Sequence, residues 1–470
     1  MSFAGERYAV QTPLINYAKE IGWEYVNPDD ALRLRGGENG FIFKDLFINQ
    51  AARLNNFIDP VLANDLVKRI SLIPPNIEGN LTIWEYLKGL KTVFVPGEKR
   101  ERNVKFIDMD MDKVDRNVFQ VTDEFSFTNG SKTIRLDVVF LINGIPILFV
   151  ETKAAHKIEG MADALDQVKR YENECPELLV MLQLYNITHI LKYYYGATWN
   201  VSERALYNWK DEQAGNFETL VKTFFDRKRI TNILTDFILF TRQDDELKKV
   251  VLRPHQMRAV DKIVGRAISD KKRGLIWHTQ GSGKTYTMIV AAKKLMENPA
   301  FENPTIIMLV DRNELESQLF GNLEALGINT IEKAESKEHL KELFKNDTRG
   351  LIITMIHKFD GMPANINLRK NVFVLVDEAH RTTGGKLGNY LMGALPNATY
   401  IGFTGTPIDK TQYGKGTFKV FGMEDPPKGY LDKYSIAESI EDGTTVPLHY
   451  SLASNELMVD RDILEKEFLD

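Results

Sequence analysis

The sequence runs to 470 residues, 43% hydrophobic and 27% charged, a globular composition that supports about three domains of ~150 residues and excludes a disordered or fibrous chain. No apolar run approaches the ~18 residues of a membrane span, residues 1–11 lack the apolar core of a secretory signal, and the single cysteine, Cys175, excludes an internal disulfide or a Cys-rich zinc site. The net charge of −5 argues neither for nor against a nucleic-acid partner, so local charge has to decide.

In chain order, residues 1–195 mix helical patterns with strand-like runs at 134–142, 145–152, 178–184 and 187–195. Asn143-Gly144 between the first two is a hairpin signal. Asp137 lies in the first of these strands. Glu151-Thr152-Lys153 ends the second, where Glu151 and Lys153 share a face because strand side chains alternate. A two-residue turn in unbroken register would send Asp137 and Glu151 to opposite faces. The expected loop is therefore three residues, Ile142-Asn143-Gly144, with Gly144 left-handed in a bulge, pairing Leu141 with Ile145 and Asp137 with Phe149. Met161, Leu165, Val168 and Tyr171 then mark a helix, with Gln167 one turn before Tyr171.

Residues 196–250 read as a helical connector, apolar at helical spacing across 217–240. From 251 to 445, apolar runs at 275–277, 306–310, 351–355, 372–376 and 400–403 alternate with helical stretches, the pattern of a parallel sheet covered on both faces. The stretch 446–470 reads as the start of a link. Residues 248–273 hold nine Lys/Arg against two Asp. That is either a solvated helix face or a nucleic-acid surface.

Two carboxylates and a lysine at one sheet edge, Asp137, Glu151 and Lys153, are suited to phosphodiester cleavage, with Asp137 and Glu151 as Mg²⁺ ligands. Asp108-Met109-Asp110-Met111-Asp112 fails as a calcium loop, because Lys113 stands where Gly is needed and Phe119 where Glu is needed. The strongest signal is His278-Thr279-Gln280-Gly281-Ser282-Gly283-Lys284-Thr285, between an apolar strand and a helix. Its glycines let backbone N–H groups approach phosphate oxygens. Gln280, Gly281, Ser282, Gly283, Lys284 and Thr285 are the expected ATP-binding residues, Thr285 also toward Mg²⁺. His278 stands where the general pattern has Gly.

The apolar run 372–376 ends in Asp377-Glu378-Ala379-His380, with Asp377 expected on the ATP Mg²⁺ and Glu378 expected to orient and deprotonate the attacking water. Gln256 is placed to pair with adenine. Arg312, after Asp311, and Thr354 are placed to meet a nucleic-acid backbone. His380, Thr404 and Thr406 are the expected coupling residues that sense the nucleotide.

The order Gln256, residues 278–285, Asp311-Arg312, Asp377-Glu378-Ala379-His380 and Thr404-Gly405-Thr406 resembles the first RecA-like lobe of a superfamily 2 helicase or translocase. That motor has two lobes and residues 446–470 are too few for the second, so the sequence is either a fragment, the reading expected here, or not a self-sufficient motor. Asp137, Glu151-x-Lys153 and Gln167-x-x-x-Tyr171 resemble the PD-(D/E)xK nuclease core. This resemblance implies that Gln167 and Tyr171 contact DNA, and that an upstream acid, Glu6 or else Glu20 or Glu24, completes the site. The combination is similar to the restriction (motor) subunit of type I restriction–modification enzymes, as are residues 277–285, 401–407 and 434–443.

The fold expected is α/β: a PD-(D/E)xK domain at 1–195 with a mixed sheet flanked by helices, the connector at 196–250, a RecA-like parallel-sheet lobe at 251–445, and the link at 446–470. The resemblance implies ATP- and Mg²⁺-dependent translocation and cleavage of double-stranded DNA. It also implies methylation and specificity subunits as partners, no membrane, and a bacterial or archaeal cytoplasm. A stand-alone helicase–nuclease of another restriction or repair system and a non-catalytic, ATP-switched DNA-binding protein remain as alternatives.

Overall fold

The computed structural model describes residues 7–153, 160–210, 216–243, 246–310, 330–382, 386–411 and 414–446. Two seven-stranded sheets organise them. The first is mixed, in the order Glu24–Tyr25, Phe119–Thr128, Thr133–Ile142, Ile145–Thr152, Leu184–Thr188, Tyr193–Ala197, Tyr207–Asn208. Its parallel pair, Ile145–Thr152 with Leu184–Thr188, needs a crossover, because parallel strands cannot be joined by a tight turn. The helix Gly160–Glu174 provides it.

Both middle strands are apolar on both sides, and the sheet is covered on both. One face carries Val138, Phe140, Ile142 and Val150 into one core cluster. The other carries Val139, Leu141, Phe149 and the helix residues Leu165, Val168 and Tyr171 into another.

The Asn143-Gly144 hairpin departs from the expected three-residue loop. Ile142 pairs with Ile145 and Leu141 with Pro146 across a two-residue turn, with φ of 53° at Asn143 and 79° at Gly144. Both are left-handed, as a type I′ turn requires. The bulge lies further along instead. The register shifts past Leu141, so that Phe140 pairs with Leu148 and Val138 with Val150, leaving Ile147 as the extra residue. That single insertion brings Asp137 opposite Glu151 on one face, the outcome expected, by a different backbone route.

Two of the other strand-like runs are displaced. Residues 178–184 start as a short helix, Pro176–Leu179, and the strand begins only at Leu184. Pro176 in the first turn suits a helix start, and a short buried apolar run has no periodicity to distinguish helix from strand. The run 187–195 is broken by a turn with Ile190 at φ 75°.

The stretch 196–250 is only partly helical. Helices Phe217–Phe224 and Arg227–Asn232 lead into an antiparallel hairpin of Ile238–Gln243 with Glu246–Val251. It is also not a solvated linker. Phe225 stacks on Phe140 with ring centroids 3.8 Å apart, and the Trp23 indole donates to the Phe225 carbonyl at 2.9 Å.

The second sheet is parallel throughout, in the order Ile331–Lys333, Gly350–Met355, Thr305–Val310, Val372–Val376, Thr399–Thr404, Arg273–His278, Asp432–Tyr434. Its five inner and longer strands are the expected apolar runs. The two edge strands are three residues each, too short to show a pattern. Among the described residues no helix is long and apolar enough to cross a membrane.

Candidate functional site

On the first sheet, the strand ends and the crossover helix gather five of the expected residues, Asp137, Glu151, Lys153, Gln167 and Tyr171, into one cluster, the last three linked by hydrogen bonds. Asp137 Oδ2 accepts from both the amide and the hydroxyl of Thr152, each at 2.8 Å. Glu151 is fully buried, and among the described residues neither carboxylate oxygen meets a donor in hydrogen-bonding geometry. Burial first, then the Asp137 charge, pushes its carboxyl well above the ordinary range, while Lys153 pulls the other way. Lys153 Nζ lies 3.8 Å from Glu151 Oε2 and donates to Gln167 Oε1 at 2.8 Å. The Gln167 amide donates in turn to the Tyr171 hydroxyl, which donates to the Arg135 carbonyl at 2.9 Å. Tyr171 is buried, so in this arrangement it anchors Gln167 rather than offering a surface.

A buried carboxylate with two orphaned oxygens is costly unless something positive meets it. With Asp137 opposite and hard oxygen donors only, the pair fits a Mg²⁺-class cation. No group of three Asp, Glu, His or Cys residues able to hold a metal is present among the described residues, and Glu6 lies outside them. Of its alternatives, Glu20 pairs with Lys222 at 2.5 Å and Glu24 is exposed on an edge strand. Sequence reading missed Thr152 and Gln11, whose Nε2 donates to Thr152 Oγ1 at 3.3 Å. It also missed Glu124, left-handed at φ 50° within its strand and paired with Arg135 at 3.1 Å. Such backbone outliers gather at functional sites.

On the second sheet, the strand Arg273–His278 runs into the phosphate loop, where Gly281 and Gly283 have φ of 76° and 80°. The helix Lys284–Glu297 follows, so the loop leads into a helix N-terminus, whose first N–H groups suit an anion. Gln256 closes the loop from behind. Its Oε1 accepts from the Arg253 amide at 2.7 Å and its Nε2 donates to the Gly283 carbonyl at 2.8 Å. A Cβ on Gly283 would lie 2.4 Å from that nitrogen. Gln280 and Thr285 are exposed, while Ser282 is buried with its hydroxyl unpartnered among the described residues.

His278 is fully buried, its Nε2 2.7 Å from Asp432 Oδ2. Burial disfavours the Asp432 anion, but hydrogen bonds from His278 and Arg258 outweigh it and hold the carboxyl below the ordinary range. The His278 side chain thus ties the loop to the sheet's edge strand, a role glycine cannot fill.

The Asp377 amide donates to the Leu309 carbonyl at 2.8 Å, placing Asp377 and Glu378 at the end of the strand Val372–Val376. One strand lies between this end and the phosphate loop. That intervening strand, Thr399–Thr404, supplies the contact: His380 Nδ1 is 2.9 Å from Thr404 Oγ1, which also accepts from the Thr406 amide at 3.1 Å. A Cβ on Gly405 would lie 3.0 Å from the Gln280 nitrogen. His380 Nδ1 is also 3.5 Å from Glu378 Oε2. These coupling candidates therefore form one chain from acid to phosphate loop.

Two expectations fare differently. Thr354 is fully buried and presents no side chain to a nucleic acid in this conformation, because its strand lies inside the sheet. Arg312 and Asp311 lie outside the described residues. The basic run 248–273 is largely spent inside the protein. Arg258 and Lys262 reach Asp432 at 2.7 and 3.0 Å, Arg266 pairs with Asp425, and Lys249 is fully buried.

Residues 4–204 match the family described as type I restriction enzyme R protein N terminus, and residues 255–470 the family described as SWI2/SNF2 ATPase. A Methanocaldococcus jannaschii chain named as the type I restriction enzyme MjaIXP endonuclease subunit is 28% identical, over 98% of this chain and 47% of its own length. A second from that organism, named MjaVIIIP, is 30% identical over 92% and 46%. The type I restriction enzyme HindI endonuclease subunit of Haemophilus influenzae is 28% identical over 92% and 44%. The chain spans about half the length of the curated relatives it matches. The two matched regions and the named relatives together make the chain similar, across most of its length, to the HsdR-like endonuclease subunits of type I restriction enzymes.

Proposed function

We propose that the chain couples ATP-driven translocation of double-stranded DNA to Mg²⁺-dependent endonucleolytic cleavage, as the motor and nuclease part of a type I restriction complex in a bacterial or archaeal cytoplasm. The observation that carries this is the buried, unpartnered Glu151 carboxylate facing Asp137 and Lys153 on one sheet, in the same chain as a phosphate loop. Asp137 and Glu151 would hold Mg²⁺, which supplies Lewis-acid polarisation of a scissile phosphate.

The chain's own residues do the rest. Lys153 presents its ammonium beside the same face, where it stabilises charge on the phosphate oxygens. Gln167, anchored by Tyr171, holds Lys153 there at 2.8 Å, so the ammonium arrives already oriented rather than being ordered at each turnover.

In the second domain Lys284 and the amides of residues 280–284 bind the phosphates of ATP. Thr285 and Asp377 would hold its Mg²⁺, and Glu378 orients the attacking water and accepts its proton. His380, Thr404 and Thr406 carry the nucleotide state across the sheet. Gln167 and Arg312 are proposed to contact the backbone of double-stranded DNA, with methylation and specificity subunits supplying recognition.

The test is cleavage of a circular plasmid by the complete enzyme with its partner subunits, ATP and Mg²⁺. We expect double-strand breaks that require both ATP and Mg²⁺. DNA-stimulated ATP hydrolysis with no cleavage would instead indicate an ATP-switched binding protein.

A further inference from the structure

Asp137 is held by one oxygen only. Both Thr152 donors, amide and hydroxyl, fall on Oδ2 at 2.8 Å. No hydrogen bond reaches Oδ1 among the described residues. The Thr152 hydroxyl has a single proton, and that proton is committed to Asp137. Its lone pairs are therefore what meets Gln11 Nε2, 3.3 Å away and 141 residues distant in sequence. Thr152 and Gln11 are 1% and 4% exposed, so water does not compete for these bonds. Gln11 Oε1 is left buried without a partner among the described residues, which is the cost of holding the amide this way round.

We propose that Thr152 and Gln11 are positioning residues of the nuclease site. They commit Oδ2 of Asp137 to the protein and leave Oδ1 to share a divalent cation with Glu151. This rests on the nuclease reading above. It makes the middle residue of Glu151-Thr152-Lys153 a functional position, and it ties the N-terminal helix Thr12–Glu20, through the turn before it, to the geometry of the metal pair. A carboxylate with both oxygens free would rotate between them, and its cation affinity would fall.

The test is binding of Mn²⁺, as a stand-in for Mg²⁺, to the nucleotide-free chain, with free Mn²⁺ read by electron paramagnetic resonance and the fold followed by thermal melting. Thr152→Val keeps the branched shape and removes only the hydroxyl. It is expected to weaken Mn²⁺ binding by about 10-fold, the lower end for loss of a partner behind a metal ligand. Thr152→Ser is expected to restore wild-type affinity, and Gln11→Leu to weaken it by a smaller factor. Glu151→Gln is the reference for a lost site. If Glu151→Gln abolishes binding while Thr152→Val and Gln11→Leu, both folded, bind as wild type, the positioning role is overturned and the nuclease reading stands. If Glu151→Gln also binds as wild type, the nuclease reading falls and takes this inference with it. Should Thr152→Val fail to fold, Gln11→Leu decides by the same criterion.

Discussion

Lys249 and Glu172 show how much one buried charge can hold in place. Lys249 Nζ lies 2.7 Å from Asn80 Oδ1, 2.8 and 2.9 Å from the carbonyl and Oε1 of Gln183, and 3.1 Å from Thr198 Oγ1, four acceptors that share its three protons. The Asn80 amide and the Thr198 hydroxyl are spent on backbone carbonyls of Val180 and Leu182, so each presents only an acceptor to the lysine. Burial pulls the Lys249 pKa well below its ordinary value, opposed by Glu172. Lys249→Met would leave these acceptors facing an apolar side chain. We expect a loss of at least ~3 kcal/mol, at about 1–3 kcal/mol per orphaned group, measured by urea denaturation.

Glu172 accepts from the Trp199 amide at 2.6 Å, and burial raises its pKa to about 7 against the opposing pull of that bond. The folded state therefore holds this proton more tightly than the unfolded chain. Its contribution is complete below the ordinary carboxylate range and is lost as pH rises toward 7. Glu172→Gln should flatten the pH dependence of stability across that window, by up to about 3 kcal/mol. An unchanged slope would show that Glu172 is not held protonated.

At the scale of elements, the hairpin decides whether the candidate nuclease site exists. Gly144 is left-handed, and a Cβ there would lie 2.8 Å from the Phe43 carbonyl oxygen. Gly144→Ala combines backbone strain with a backbone clash and should cost about 1–3 kcal/mol, seen as a lower denaturation midpoint. Asn143 tolerates its own positive φ because its side chain is fully engaged. Its Oδ1 accepts from the Val118 amide and its Nδ2 donates to the Phe106 carbonyl, both at 2.8 Å. The turn therefore sets the start of the pairing, and the Ile147 bulge resets its face. Without that extra residue Glu151 would point away from Asp137.

For the whole molecule, the two sheets are joined by packed structure. Residues of the first sheet, of the 217–251 segment and of one face of the second sheet fall in one continuous core. The Tyr195 hydroxyl donates to the Leu252 carbonyl at 2.6 Å. Lys294, on the helix that follows the phosphate loop, pairs with Asp236 at 2.7 Å. The candidate sites nevertheless lie on different sheets, so the two steps proposed for them are expected to be separable. In the complete enzyme, Asp137→Ala should reduce cleavage at least ~10²-fold and leave ATP hydrolysis near wild type. Lys284→Ala should abolish both, because under the proposed coupling cleavage waits on ATP-driven translocation, and the phosphate loop's lysine is needed for ATP hydrolysis. Loss of ATP hydrolysis in a well-folded Asp137→Ala enzyme would overturn the assignment of two independent sites.

The chemistry-bearing residues were legible because they are local. A glycine-rich loop between strand and helix, or an acid pair at the end of an apolar strand, is written in adjacent residues, and the inner strands of the second sheet announce themselves as buried apolar runs. The sequence also determined that Glu151 and Lys153 share a face. Tertiary structure decided what depends on distance along the chain. The bond from Gln11 to Thr152 and the burial of Thr354 and Lys249 arise from partners tens to hundreds of residues away, and the bulge at Ile147 from pairing that no residue type announces. The fate of the basic run was decided the same way. Nine cations in 26 residues look like a nucleic-acid surface until Asp425 and Asp432, far downstream, take up three of them. Charge along a sequence counts the ions, but only the fold sets which of them remain exposed, because pairing depends on distances that close only when the chain is packed.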